Sequence, residues 1–211
     1  MKTRVVLVGG GPHAKVIVDI LESSDAEIVG FTDKVRPADR ESLCGYAYLG
    51  PDDVLPELFA SGVRQAFVAI GDNGRRKLCL DAVRACGFEL VNAISPHAVV
   101  SKRATLGESV AIMPGAIVNI HSRIEDGAII NTNAAVDHDC VIGECAHVGP
   151  GSAIAGSVRI GPRVFLGIGC RVIPGIKIGS DTVVGAGSVV VRDLPERVVA
   201  YGVPAAVRRP H

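Results

Sequence analysis

The chain has 211 residues, 48% of them hydrophobic, and its 22 lysines and arginines balance 22 aspartates and glutamates. With no block of like charge it presents no basic face for nucleic acid or a membrane surface, so a small-molecule ligand is expected. No run of about 18 apolar residues occurs, so no transmembrane helix is expected. The four apolar residues in the opening MKTRVVLVGGG are too few for a signal-peptide core, which leaves the cytoplasm as the expected location.

Residues 1 to 92 alternate between strand and helix signals. Arg4 to Gly9 (RVVLVG) is β-rich, and His13 to Ser23 carries Ala14, Ile17, Val18 and Leu21 on one helical face. Glu27 to Thr32 (EIVGFT) reads as a second strand, which completes a β-α-β unit. Lys34 to Leu58, with Pro37, Pro51 and Pro56, reads as irregular. Ala66 to Ile70 makes a third strand, Gly74 to Cys86 a helix stopped by Gly87, and Phe88 to Ala93 a fourth strand. Cys79, Ala82, Val83 and Cys86 share the i, i+3, i+4, i+7 spacing, so both thiols are expected in the core. They would lie about 10.5 Å apart along the axis, too far for a disulfide.

Gly9-Gly10-Gly11-Pro12-His13-Ala14 fits G-x-G-x-x-A between a strand and a helix, and Asp33 ends the second strand. By pattern alone this is a dinucleotide fingerprint. A domain with four strands lacks the second mononucleotide-binding half, however. The loop can equally hold a diphosphate, because backbone N–H groups at a helix start attract phosphate oxygens, or serve only as a tight turn.

From Ile94 the period becomes six. Ile94, Val100, Leu106, Ile112, Val118, Ile124, Ile130, Val136, Ile142, Val148, Ile154, Ile160, Leu166, Val172, Ile178, Val184 and Val190 are all aliphatic. The residue two places before each, from Ala98 to Ser188, is small or apolar. A period of six is neither the 3.6 of a helix nor the 2 of a plain strand. The chain must therefore turn after each short strand, and three such sides make a triangular coil of about 18 residues. Each buried aliphatic side chain contributes roughly 1.5 to 3 kcal/mol before chain entropy is subtracted. Cys140 and Cys170 fall in the small inward slot and read as core filler. Gly107, Gly143, Gly149, Gly161, Gly167, Gly179 and Gly185 follow the aliphatic residue directly, where a tight corner or a close approach between coils favours a residue without Cβ.

In this register Val136 and Cys140 point inward, so His138 faces outward, with Asp137 and Asp139 beside it. Asp139 could accept the proton of one ring nitrogen and raise the basicity of the other. A metal site would need His121, His138 and His147 to converge, and the intervals of 17 and 9 are expected to put them on different sides and levels. The six cysteines show no paired-ligand spacing, so no metal is expected.

The recurrence resembles the hexapeptide-repeat, left-handed parallel β-helix proteins. IINTNAAVDHDCVIGECAHVGPGSAIAGSVRIG, GAGSVVVRDLPERVVAYGVPA and GGGPHA resemble, over essentially the whole chain, the sugar acetyltransferases of the NeuD/PglD type. The resemblance implies a Rossmann-like α/β nucleotide-sugar-binding domain over 1–92 and a left-handed β-helix acetyltransferase domain with a C-terminal tail over 93–211. It implies acetyl transfer from acetyl-CoA to the amino group of a nucleotide-linked amino sugar, of the 4-amino class, for bacterial surface glycan synthesis, in a homotrimer with the active site between subunits. By the same resemblance His138 is the general base and Asp139, where many relatives carry Glu, orients it. His147, Ile168 and Ala186 would contact acetyl-CoA. Gly11, Pro12 and His13 would meet the diphosphate or sugar, Asp33 and Lys34 the base end, and Gly71 a close approach of ligand. Pro12 departs from the commoner Gly or Ser and removes one backbone donor. Arg192, Arg208 and Arg209 are further candidates for the coenzyme phosphates. Two alternatives stay open: O-acetylation of a sialic-acid-like sugar, and an NAD- or nucleotide-sensing module trimerised by the β-helix.

Overall fold

A computed structural model describes residues 3–34 and 42–211, and the chain divides into one unit ending at Ile94 and another beginning at Ser95. The first unit is an α/β sheet of six strands. It comprises β1 (Thr3–Val8), α1 (Pro12–Glu22), β2 (Ala26–Thr32), β3 (Ser42–Leu43), β4 (Tyr46–Gly50), α2 (Leu55–Ala60), β5 (Gln65–Val68), α3 (Asn73–Ala85) and β6 (Glu89–Leu90). The strand order is β3-β4-β2-β1-β5-β6, parallel except for the β3/β4 hairpin. Central β1 buries Val5 to Val8 on both faces, as a continuous apolar run in a parallel sheet should.

Of the stretch Lys34 to Leu58, read as irregular from the sequence, the described residues 42–58 are regular: they form the hairpin of β3 and β4 and the helical turns that follow. Pro37 lies outside the described residues, but Tyr46–Gly50 pairs in parallel with β2, and Cys44 and Gly45 turn the hairpin with φ of 51° and 91°. Pro51 and Pro56 start helical turns, a position where a missing N–H costs nothing. Of the strand expected over Phe88 to Ala93, Glu89 and Leu90 pair with β5, and Ala93 instead begins a separate two-residue strand. Cys79 is buried, as expected, but Cys86 is half-buried, because α3 ends one residue before it and its N–H caps the carbonyl of Ala82.

The second unit is a parallel β-helix. Two-residue strands pair with strands 18 residues further on, as in Ala135↔Ala153, Val141↔Arg159 and His147↔Phe165. They stack into three sheets. One contains Ile129–Ile130 and His147–Val148, the next Ala135–Val136, and the third Val141–Ile142. A hairpin of Val198–Gly202 and Ala205–Pro210 extends the first of them.

From Ile112 to Val190 the sixth-residue aliphatics are almost wholly buried, with Cys140 and Cys170 at 0% exposure among them. Ile94, expected to head this column, is 40% exposed, and Val100 and Leu106 are half-buried. The glycines after the aliphatic residues are explained by close approach between coils. A Cβ on Gly143 would lie 2.6 Å from the Pro162 nitrogen, and one on Gly167 2.6 Å from the Ala186 nitrogen. The left-handed backbone falls elsewhere, at every sixth residue from Ser109 to Gly187. Gly, Asn and Asp take this conformation at little cost, and Ser, His, Cys and Arg also hold corners in this chain.

Candidate active site

His138 lies in the turn after strand Ala135–Val136, and Asp139 is one of the left-handed corners, with φ of 59°. The repeat thus dictates a backbone that a short carboxylate residue tolerates, and from it Asp139 Oδ2 reaches His138 Nδ1 at 2.8 Å. The short Asp139 side chain thus suffices to hold the ring. Asp137 fixes the other side of the turn: its Oδ1 accepts the His138 backbone N–H at 2.8 Å and the Asn119 side-chain amide, one coil earlier, at 3.0 Å. The His138 side chain is 52% exposed, so it is not core packing.

The hydrogen bond to Asp139, with the charge of Asp137 adding to it, raises the His138 pKa above the usual imidazole value. The Asp137 carboxyl is held low by the His138 N–H and then by Asn119. With Nδ1 occupied by the carboxylate, Nε2 is the nitrogen left to accept a proton. Gly156, one coil later, makes room for the ring: a Cβ there would lie 2.6 Å from both Cε1 and Nε2.

His121, His138 and His147 are not all on different sides. The interval of 17 is one short of a full coil, so His121, with φ of 61°, takes the left-handed corner that Asp139 takes one coil later, in the same turn of the prism as His138. His147 is in a different sheet. Among the described residues no group of three His, Cys, Asp or Glu side chains could hold a metal ion.

His147 is 9% exposed. Its Nε2 lies 2.9 Å from the Asn131 side-chain amide, and its ring meets Phe165 edge-on at 5.2 Å. Ile168 is 65% exposed, and Ala186, also exposed, follows one coil later at the same corner, where the Gly187 N–H donates to the Ile168 carbonyl at 2.8 Å. His147 lies in the first sheet and Ile168 and Ala186 in the turns that follow it, whereas His138 and Asp139 stand at the turn between the second and third. Within one chain none of the three is at the edge that carries His138. Arg192, Arg208 and Arg209 are exposed, and the Arg208 guanidinium sits 5.1 Å from the Tyr201 ring.

In the first unit Gly11, Pro12, His13, Asp33 and Gly71 line one cavity of about 250 Å³. Lys34 is exposed and is not among the lining residues. The glycines of the loop differ in purpose. A Cβ on Gly9 would meet Ile70 and the Ala69 backbone, and one on Gly10 would enter the Phe31 ring, whereas nothing lies within 4 Å of a Cβ on Gly11. The first two glycines are packing requirements, and Gly11, at the N-cap of α1, leaves open space at a helix N-terminus. Asp33 accepts the Gly10 N–H at 3.0 Å and the Arg75 guanidinium at 3.1 Å. His13 is held neutral, with its pKa lowered to about 4 by burial and then by the Arg76 charge.

Asn119, Asn131, Gly156 and Arg75 were not singled out from the sequence. The 18-residue coil could have found Gly156, which is His138 plus one coil, and a polar partner for Asp137 at Asn119, which is Asp137 minus one coil. Arg75 has no such signal, since it meets Asp33 only through the fold.

Residues 4–83 match the PglD N-terminal domain and residues 157–192 the bacterial transferase hexapeptide (six repeats) family. UDP-N-acetylbacillosamine N-acetyltransferase of Bacillus subtilis is 36% identical over 114 residues, 52% of this chain and 50% of that protein, so the match spans about half the length of that relative. The crystal structure of PerB from Caulobacter crescentus, in complex with CoA and GDP-perosamine, is 50% identical with a TM-score of 0.93, covering 99% of this chain and 98% of that one. The acetyltransferase domain of PglB from Neisseria gonorrhoeae, in complex with acetyl coenzyme A, is 31% identical with a TM-score of 0.91, covering 99% of this chain and 100% of that one.

Proposed function

This chain belongs to the hexapeptide-repeat sugar N-acetyltransferases that carry the PglD N-terminal domain, and we propose that it transfers acetyl from acetyl-CoA to the amino group of a nucleotide-linked amino sugar of the 4-amino class. The observation that carries the reading is the exposed imidazole of His138, held at Nδ1 by Asp139 at 2.8 Å, which leaves Nε2 as a base facing outward. Likeness to PerB over nearly its full length at 50% identity favours a GDP-linked substrate. The likeness to the UDP-N-acetylbacillosamine enzyme is lower and covers half of that protein.

In the reaction the amine nitrogen of the sugar bonds to the thioester carbonyl carbon as its proton passes to His138 Nε2. Asp139 stabilises the imidazolium that forms. The C–S bond then breaks, the amide is released, and the coenzyme leaves as a thiolate that takes up the proton. The cavity of Gly11, His13 and Asp33 holds the nucleotide, and His147, Ile168 and Ala186 hold the coenzyme. Because His147, Ile168 and Ala186 stand away from the edge that carries His138, a site joining them is built between neighbouring copies, and the working form is a homotrimer. No helix among the described residues is long and apolar enough to cross a membrane, and the acetyl-CoA supply supports action in the cytoplasm.

The test is to incubate purified protein with acetyl-CoA and GDP-, UDP- or dTDP-linked 4-amino sugars and to follow free thiol. Release of thiol with an N-acetylated product supports the reading. Absence of release with every amino sugar offered sinks it.

A further inference from the structure

Two consecutive arginines open α3, and the fold uses them differently. Arg76 is 1% exposed, and its guanidinium donates to the carbonyls of Ile70 and Gly71, both at 2.9 Å, and to the Asn73 side chain at 2.8 Å. It fixes the loop after β5. Arg75 instead lines the cavity of the Gly-rich loop, with its side chain 43% exposed. Its backbone is fixed at the first turn of α3, where its N–H donates to the Asp72 carboxylate at 2.7 Å, and its side chain reaches Asp33 across the cavity.

The charges around this cavity are lopsided for a nucleoside diphosphate. Asp33 and Asp72 bring two carboxylates, His13 is neutral near neutral pH, and Arg75 is the full cation among the lining residues. Pro12 has removed one backbone donor from the loop that would cradle the phosphates. A guanidinium offers five N–H donors in a fork that fits phosphate oxygens, and the bond to Asp33 uses one. An ion pair exposed to this degree stabilises little, so it is cheap to exchange.

We infer that Arg75 is a binding residue for the diphosphate of the sugar nucleotide. It parks on Asp33 in the free protein and turns to the phosphates when ligand enters, which releases one Asp33 oxygen for the nucleoside. This rests on the reading of the first unit as the nucleotide site. A charge-assisted bond to phosphate is the strong kind of hydrogen bond, so its loss is large enough to measure.

The probes are GDP and GMP, which differ by the β-phosphate, titrated by calorimetry into the wild-type trimer, Arg75→Ala, Arg75→Lys and Asp33→Asn. The expected result is that Arg75→Ala weakens GDP about tenfold or more and GMP much less, so that the preference for GDP over GMP collapses, while Arg75→Lys restores part of it. Asp33→Asn should weaken both nucleotides together and leave the preference intact. If Arg75→Ala weakens both equally, as Asp33→Asn does, Arg75 serves only to hold Asp33 and the inference is overturned. If the wild type binds neither GDP nor GMP, and UDP and UMP also fail, the reading of the first unit falls and takes this inference with it. Circular dichroism of each variant excludes unfolding as the cause of weak binding.

Discussion

Gly156 has no side chain at the place where the imidazole of His138 lies, and a Cβ there would fall 2.6 Å from both Cε1 and Nε2. The two residues are one coil apart, so the repeat that builds the scaffold also sets the ring position. The Gly156 backbone is not among the left-handed corners, and an alanine there meets no conformational penalty of its own.

Gly156→Ala should therefore displace the ring rather than unfold the coil. We expect kcat to fall about tenfold or more, since a small misplacement of a reacting group is costly, with little change in thermal midpoint. In a His138→Ala background the same substitution should have no further effect on kcat. Equal additional losses in both backgrounds would show that Gly156 acts independently of the ring.

The pH profile follows from the Asp139 contact. The carboxylate favours the protonated ring and raises the His138 pKa, whereas the base works only when neutral. The kcat should fall as pH drops through this raised value. Asp139→Asn removes the charge that favours imidazolium, so the acidic limb of the kcat profile should move to lower pH, with a lower plateau from the weaker base. A limb that stays in place or moves to higher pH would remove Asp139 as the partner that sets the titration.

Much of this organisation is written locally in the chain. The period of six holds every inward position of the coils because each strand is two residues long and each corner repeats. His138 could be placed outward by counting from Val136 and Cys140. The first unit was less legible. Tyr46–Gly50 carries a β pattern, yet the prolines nearby made the stretch read as irregular; it pairs with β2, and Pro51 and Pro56 sit at helix starts. Ile94 fits the hexad by type and still stands 40% exposed, because the pattern cannot say where the stack of coils begins to bury its aliphatic column. The Asp33–Arg75 pair spans 42 residues, and no periodicity links them.

The coil spacing can be tested away from the site. A Cβ on Gly143 would lie 2.6 to 2.9 Å from backbone atoms of Ile160, Gly161 and Pro162, none of which is the flexible end of a side chain. Gly143→Ala should destabilise the protein by about 1–3 kcal/mol through overpacking, read as a thermal midpoint lower by several degrees. An unchanged midpoint would mean that the coils can separate at little cost.

If, as proposed, the first unit holds the nucleotide and the second the coenzyme, a split in Michaelis constants follows. Asp33→Ala removes a carboxylate from the cavity of the Gly-rich loop, and losing a hydrogen bond to a buried partner costs about 1 to 3 kcal/mol. The KM for the sugar nucleotide should rise about tenfold, with that for acetyl-CoA nearly unchanged. Equal rises for both substrates would point to disturbed folding or assembly instead.

The role of His138 is tested most directly by kcat of His138→Ala at saturating acetyl-CoA and sugar nucleotide. Removal of a general base should lower it by about 10² to 10⁴. The thermal midpoint should stay close to that of the wild type, because the side chain is half exposed and outside the aliphatic column. A fall of less than about threefold, below what general-base catalysis supplies, would contradict proton transfer to His138 and leave the Asp139 pair as a corner of the coil.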